Sequence, residues 1–320
     1  MIPRVSVSKE SRSVLHSYRE NAMNHRRATA AFALTLLATA GAAQISAQAV
    51  ASSPASGTLP ECPVASFPTV VANDANSRWA APRLDVSCTD RQVVVESNGI
   101  PPYEFQRTTP NDLREQNYVW RFPRAAELAD DRTAIPLLGP IAIAVNGLPI
   151  YGPNEGEHPD PYGDPVHNDI LDWCLGHTAR RGDYHYHALI VSCLTAGHAA
   201  AEPSPVIAWS FDGFAIYGPN ECVDGDCTAV QEVRSGWQRT GDPTTYAWDN
   251  HRYIGPEDGV TLDACNGHVG SQGDYHYHAT AGFPYILGCY SGYVDPSTQR
   301  PTREGGPDRR RRGPPRDPAD

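Results

Sequence analysis

Six of the twelve histidines in this chain fall into two copies of one spacing: a histidine, seven residues, then His-x-His. The first copy is His177, His185 and His187; the second is His268, His276 and His278. Neutral imidazole is the commonest protein ligand for zinc, copper and non-haem iron. Three such nitrogens with a free coordination position make the arrangement that catalytic metal sites favour. Each His-x-His pair lies in a Tyr-His-Tyr-His string, Tyr184 to His187 and Tyr275 to His278. In an extended chain, alternation turns both imidazoles of a string to one face and both tyrosines to the other, so two nitrogens can meet one ion.

The strings sit inside longer matched frames. Leu171-Asp172-Trp173-Cys174-Leu175-Gly176-His177 followed by Asp183 to Ala188 returns as Leu262-Asp263-Ala264-Cys265-Asn266-Gly267-His268 followed by Asp274 to Ala279, shifted by 91 positions. A second element precedes each frame. Asn146 to Glu155, ending Ile-Tyr-Gly-Pro-Asn-Glu, returns as Asp212 to Glu221, shifted by 66. The later copy therefore carries an insertion of 25 residues, expected as a loop around Cys222 to Tyr253. Gly-Pro-Asn forms a tight turn after an Ile-Tyr strand end, which leaves Glu155 and Glu221 at equivalent loop positions as candidate general bases or additional ligands. Asp183 and Asp274 can orient an imidazole through its second nitrogen, but the turn entering the strand accounts for them better.

The paired strings, Asn266-Gly267-His268-Val269 and the run Phe283 to Tyr290 resemble the YHYH-domain proteins, over roughly Arg91 to Tyr293. The resemblance implies an exported protein; it implies no reaction.

The metal is narrowed by what the chain lacks. Both methionines, Met1 and Met23, precede the expected mature start, and with the cysteines oxidised a blue-copper site has no sulfur donor. A histidine-rich site for a divalent metal remains, with copper slightly favoured over zinc or iron by affinity order. The competing expectation is a polar core network, with imidazoles bonding backbone carbonyls and tyrosines packed between sheets. Two function classes follow: an exported metalloprotein, a hydrolase or oxidoreductase or a carrier, and a non-catalytic extracellular binding or structural module. In the second, Trp209, Phe211, Phe214 and Tyr217 pack a core or contact carbohydrate. No nucleophile elbow, phosphate loop or dinucleotide fingerprint is present to indicate a standard enzyme. His158, His167, His198 and His251 have no counterpart in the other copy and are expected at the surface.

Charge and cysteines describe the compartment. The formal net charge of −11 argues against nucleic acid as a partner, since phosphate binding needs a basic face; a small molecule or metal ion fits better. Residues 1–43 are expected to be a leader in which Met23 opens a basic stretch, an apolar run and small residues, the order of a secretory signal peptide. No later segment approaches the ~20 apolar residues of a membrane span. All eight cysteines follow the leader, which suits disulfides in a secreted or periplasmic protein. Cys174 with Cys193 and Cys265 with Cys289 are the repeat-equivalent pairs, leaving Cys222 with Cys227 and Cys62 with Cys88, although eight cysteines allow 105 connectivities.

Positioning the histidines requires strands. Strand signals fall at Gln92 to Glu96, Tyr118 to Phe122, Ile141 to Asn146, Tyr184 to Val191, Val206 to Phe211 and Tyr275 to Thr280, with Gly and Pro between them. Pro123 to Asp131 is the best helix candidate. The pattern predicts a mainly β fold of antiparallel sheets with long loops, built from a duplicated unit with pseudo-two-fold symmetry. Residues 44–60 are expected as a linker, 61–299 as the domain with repeats at about 141–193 and 206–290, and 300–320 as a disordered tail. Oligomeric state is not indicated.

Overall fold

Short runs of β-branched and aromatic residues, broken by Gly, Pro and Asn, fold here almost wholly into strands. The structure, a computed structural model, describes residues 60–188, 191–194, 201–255 and 260–295; the expected leader, nearly all of the linker, the tail and His198 lie outside them. The fold is that of the unit beginning at Cys62. In chain order the strands are β1 (Leu84–Cys88), β2 (Gln92–Ser97), β3 (Tyr118–Pro123), β4 (Leu128–Ala134), β5 (Pro140–Ala144), β6 (Pro149–Tyr151), β7 (Gly176–Thr178) and β8 (Tyr184–Tyr186). They continue with β9 (Val206–Ser210), β10 (Ala215–Tyr217), β11 (Asn220–Cys222), β12 (Val230–Glu232), β13 (Trp237–Arg239), β14 (His251–Tyr253), β15 (Gly267–Val269), β16 (Tyr275–His278) and β17 (Cys289–Gly292). Among the described residues the only α-helix is the single turn Val191–Leu194. The protein is mainly β, with predominantly antiparallel pairing.

Eight strands form a central sheet in the order β15-β16-β10-β9-β5-β6-β8-β7. From either end it runs through a hairpin, a parallel join of β8 to β6 or β16 to β10, and an antiparallel pair, until β5 and β9 meet antiparallel in the middle. The expectation of antiparallel sheets misses those two parallel joins, and they are what bring each histidine hairpin beside the strand that precedes its glutamate. The Asn-Gly and Asp-Gly turns leading into β6 and β10 place Gly147 and Gly213 at φ +81° and +91°, a region closed to most side chains.

Part of the core lies where the sheet β1-β2-β3 meets β9 of the central sheet and Phe211 beyond it. Val93, Val95, Trp120 and Phe122 are buried there, with Phe122 stacked on Trp209 and Trp120 tilted against Phe211. Phe211 and Phe214 are buried, while Tyr217 packs on His276 and His278. Phe211 and Phe214 thus belong to the core, while Trp209 and Tyr217 are half-buried.

Four expectations need correction. Pro123 to Asp131 is not helical: the chain bends after β3 and continues as β4, which pairs with β17 through Leu128↔Gly292 and Ala134↔Cys289. Tertiary pairing overrides the propensity of Ala125 to Ala129. Strand β8 ends at Tyr186, not Val191, which already opens the helical turn Val191–Leu194. The inserted segment is not a plain loop but folds into the ribbons β11·β12 and β13·β14. His251 is half-buried rather than on the surface, stacked on Phe283 with ring centroids 4.0 Å apart.

Candidate metal centres

Each histidine hairpin begins with an aspartate loop. Asp172 Oδ1 accepts the N–H groups of Cys174 and Gly176, and its Oδ2 accepts the Tyr184 hydroxyl at 2.8 Å. Asp263 repeats this with Cys265, Gly267 and the Tyr275 hydroxyl at 3.0 Å. A Cβ at Gly176 or Gly267 would fall 2.4 or 2.3 Å from that hydroxyl, so only glycine admits the latch. The register then sets His177 opposite His185 and His268 opposite His276, on one face of an antiparallel pair. Disulfides Cys174–Cys193 and Cys265–Cys289 tie these loops down; Cys62–Cys88 and Cys222–Cys227 complete the four pairings anticipated from the sequence.

The second tyrosine of each string points to the other face and is fully buried. Tyr186 accepts from Asn146 Nδ2 at 2.9 Å, and Tyr277 donates to Asp212 Oδ2 at 2.6 Å, so each is fastened to the turn of its own preceding element. That element also supplies the site. The Gly152 carbonyl accepts His187 Nδ1–H and the Gly218 carbonyl accepts His278 Nδ1–H, both at 2.6 Å. Tyr151 stacks on His185 at 4.0 Å. Glu155 and Glu221, three residues beyond those glycines, complete the groups.

Two sets of four result, Glu155 with His177, His185 and His187, and Glu221 with His268, His276 and His278, each with one donor atom per residue lying within 4.8 Å of the others. In the first, Glu155 Oε1 lies 2.6 Å from His187 Nε2 and 3.0 Å from His177 Nε2, and His185 Nε2 lies 3.1 Å from His187 Nε2. Glu155 Oε1 is nevertheless buried without a hydrogen-bond partner. In the second, Glu221 Oε2 lies 3.0 Å from His268 Nε2 and 3.8 Å from both His276 Nε2 and His278 Nε2, while His268 and His278 approach to 3.2 Å.

Burial raises the Glu155 carboxyl, but the His187 and His177 imidazoles outweigh it and hold the group well below the usual carboxylate range. Glu221 is held low in the same way, burial opposing and His268 and His276 prevailing. Burial, reinforced by His177 and His187, pushes His185 well down, and burial takes His278 to about 3. Both groups thus combine an anionic carboxylate with three imidazoles, of which His185 and His278 are held neutral by burial, a donor set compatible with a divalent ion.

All eight residues singled out in the sequence are brought together, six histidines and both glutamates. The flanking aspartates diverge. Asp183 accepts the Tyr151 hydroxyl and its carbonyl faces His185 Nδ1, whereas Asp274 Oδ2 lies 3.3 Å from His276 Nδ1. Sequence reasoning did not find the Asp-Tyr latches, although Asp172 with Tyr184 and Asp263 with Tyr275 keep one spacing. It also missed Gln231, whose Nε2 donates to Glu221 Oε1 at 3.2 Å, because the insertion has no counterpart in the first copy.

The family model described as YHYH protein matches residues 119–292. No curated protein and no solved structure matches the chain.

Proposed function

The chain belongs to the YHYH protein family, and from that premise we propose that it is an exported, disulfide-stiffened protein that binds divalent metal at two centres of three histidines and one glutamate. The observation that carries this reading is the convergence of three imidazole nitrogens and one carboxylate oxygen in each group. His177, His185 and His187 each direct Nδ1 at a backbone carbonyl, of Ile170, Asp183 and Gly152. A ring nitrogen facing a carbonyl carries a proton, so a ring in its neutral form here turns an unprotonated Nε2 toward the others and toward a carboxylate, as a metal ligand does. Lone pairs 3.1 Å apart beside an anion repel unless a cation lies among them. A polar core network needs a donor for each acceptor, whereas neutral rings here set acceptor against acceptor, which a cation among them relieves.

Glu155 and Glu221 act as ligands in this reading rather than as free general bases, which leaves catalysis to an open coordination position. Copper is favoured over zinc or iron by affinity order alone. Four disulfides support an oxidising, extracellular or periplasmic setting, and among the described residues no helix is long and apolar enough to cross a membrane. The matched frames and the sheet order, which reads alike from both ends, support a duplicated unit with pseudo-two-fold symmetry, its copies at about 141–193 and 206–290 within a domain of 61–299. Leader cleavage near residue 43 and a solvated tail from 300 belong to the same proposal.

Elemental analysis tests it. Protein purified from its native compartment should carry two metal equivalents, His185→Ala with His187→Ala should remove one, and His276→Ala with His278→Ala the other. Metal-free protein that gains none on exposure to copper, zinc or iron would return the histidines to a structural network, as in a non-catalytic module.

A further inference from the structure

We propose that the second centre, and not the first, takes an external ligand: a small monoanion with an oxygen or nitrogen donor, bound to the metal on the side lined by His276 and His278. The inference rests on the metal reading above.

Donor spacing points there first. Four ligands at ~2.0 to 2.1 Å in a tetrahedron stand about 3.3 Å apart. The first centre is drawn tighter than this, with its carboxylate oxygen 2.6 and 3.0 Å from two imidazole nitrogens. In the second, Glu221 Oε2 stays near His268 at 3.0 Å but stands 3.8 Å from both His276 and His278. The shell is wide on that side, which is the room a fifth donor needs.

Access agrees. The side chains of His177 and His187 are 3% and 0% exposed, whereas those of His268 and His276 are 19% and 11% exposed. The second centre turns His268 and His276 toward solvent while His278 stays 1% exposed, so a ligand would enter past His276.

The ligands also differ in how they are held. All three first-centre rings are pinned through Nδ1 to carbonyls. Of the second set, His278 is pinned to the Gly218 carbonyl, while His276 Nδ1 makes no hydrogen bond and faces the exposed Asp274 carboxylate at 3.3 Å. Its ring packs directly on Gly270, where a Cβ would come 2.4 Å from Cε1. Glu221 rides on β11, one strand of the two-stranded ribbon β11·β12, and is aimed by Gln231 directly across the register. A ribbon of two strands yields more readily than a sheet of eight. Charge selects the ligand class: a divalent ion with three neutral imidazoles and one carboxylate keeps one positive charge, which a monoanion neutralises.

The test uses the full chain loaded with two equivalents of Cu(II) and titrated with azide. Azide should produce a charge-transfer band that saturates at one azide per two copper ions, and should shift half of the copper signal in electron paramagnetic resonance. His268→Ala should abolish the band, while Glu155→Gln should leave it. Two bound copper ions with no azide response, a response of both signals, or loss of the band in Glu155→Gln would overturn the inference while leaving the metal reading intact. Failure to bind copper, zinc or iron would remove the metal reading and this inference together.

Discussion

The two centres are built from the same ten-residue element and the same histidine hairpin, yet they are held to different standards. Around the first, three imidazoles are pinned to carbonyls, and the Glu155 and Gly156 N–H groups both donate to Asp160 Oδ2, at 2.8 and 2.9 Å. Around the second, one ring is pinned to a carbonyl, and the glutamate sits on a ribbon tied by a disulfide and by Gln231. One ligand set thus becomes two environments through the chain that follows each glutamate: a turn closed by an aspartate in one case, the inserted ribbons in the other. Outer contacts of this kind orient ligands and tune affinity as much as ligand identity does.

The largest test of the buried first half comes from pH. Asp164, in the segment between Glu155 and His177, is fully buried, and burial raises its carboxyl to about 7 against the pull of the Tyr285 hydroxyl and the Val166 N–H. Below pH 3.8 both folded and unfolded chains hold this proton. Between 3.8 and about 7 only the unfolded chain releases it, so stability falls as pH rises through that window and is lost in full above it. The gap corresponds to about 4 kcal/mol. Asp164→Asn should therefore gain about that much relative to the parent between pH 4 and 7, measured by urea unfolding at each pH. An unchanged difference across the range would mean that Asp164 is solvated and that the first centre is less enclosed than described.

How much of this was legible follows from what the repeat could register. Matched histidines, cysteines and glutamates announced themselves because they recur at matching spacings in the sequence, and the strands around Tyr118, Ile141 and Val206 followed from β-branched and aromatic runs between turns. The parallel joins β6·β8 and β10·β16 left no local signal. They alone bring Glu155 to His187 and Glu221 to His268, which is why the glutamates could be singled out in sequence without a settled role. The Ala125 to Ala129 stretch misled because its helical propensity is worth only tenths of a kcal/mol per residue, less than pairing β4 with β17. Gln231 was illegible for a different reason: it lies in the insertion, where no second copy exists to mark it.

A second test compares the aspartate latches. Asp172→Ala strips two backbone N–H groups and the Tyr184 hydroxyl of a buried acceptor, a loss of about 3 kcal/mol or more at ~1 to 3 per stranded group. Asp263→Ala removes the equivalent three bonds and the Arg132 Nη2 pair at 2.9 Å, but that pair is half exposed, Asp263 is itself 22% exposed and Tyr275 keeps Ser291 Oγ at 2.7 Å. Its cost should be about 1 to 2 kcal/mol. Denaturant midpoints measured side by side decide the matter, and equal losses would erase the difference between the halves at this level.

The smallest expected effect separates the centres most cleanly. Cys222 directly follows Glu221 and pairs with the exposed Cys227 across the mouth of the β11·β12 loop, so Cys222→Ser with Cys227→Ser frees the loop without touching a ligand. Glu221 would then be aimed by its cross-strand partner Gln231 alone, on a ribbon that is marginal by itself. Loss of such support lowers metal affinity by roughly 10-fold to 100-fold, and the lower figure applies here because the Gln231 bond survives. The first centre, whose glutamate turn is closed by Asp160 rather than by a disulfide, supplies the internal control. With both centres filled, removal of metal by a competing chelator should show two phases. In the variant the faster phase should accelerate about tenfold while the slower one keeps the parent rate. If both phases accelerate together, the ribbon supports the whole sheet and not one centre, and the two environments are coupled; if neither changes, Gln231 suffices and the disulfide has no part in aiming Glu221.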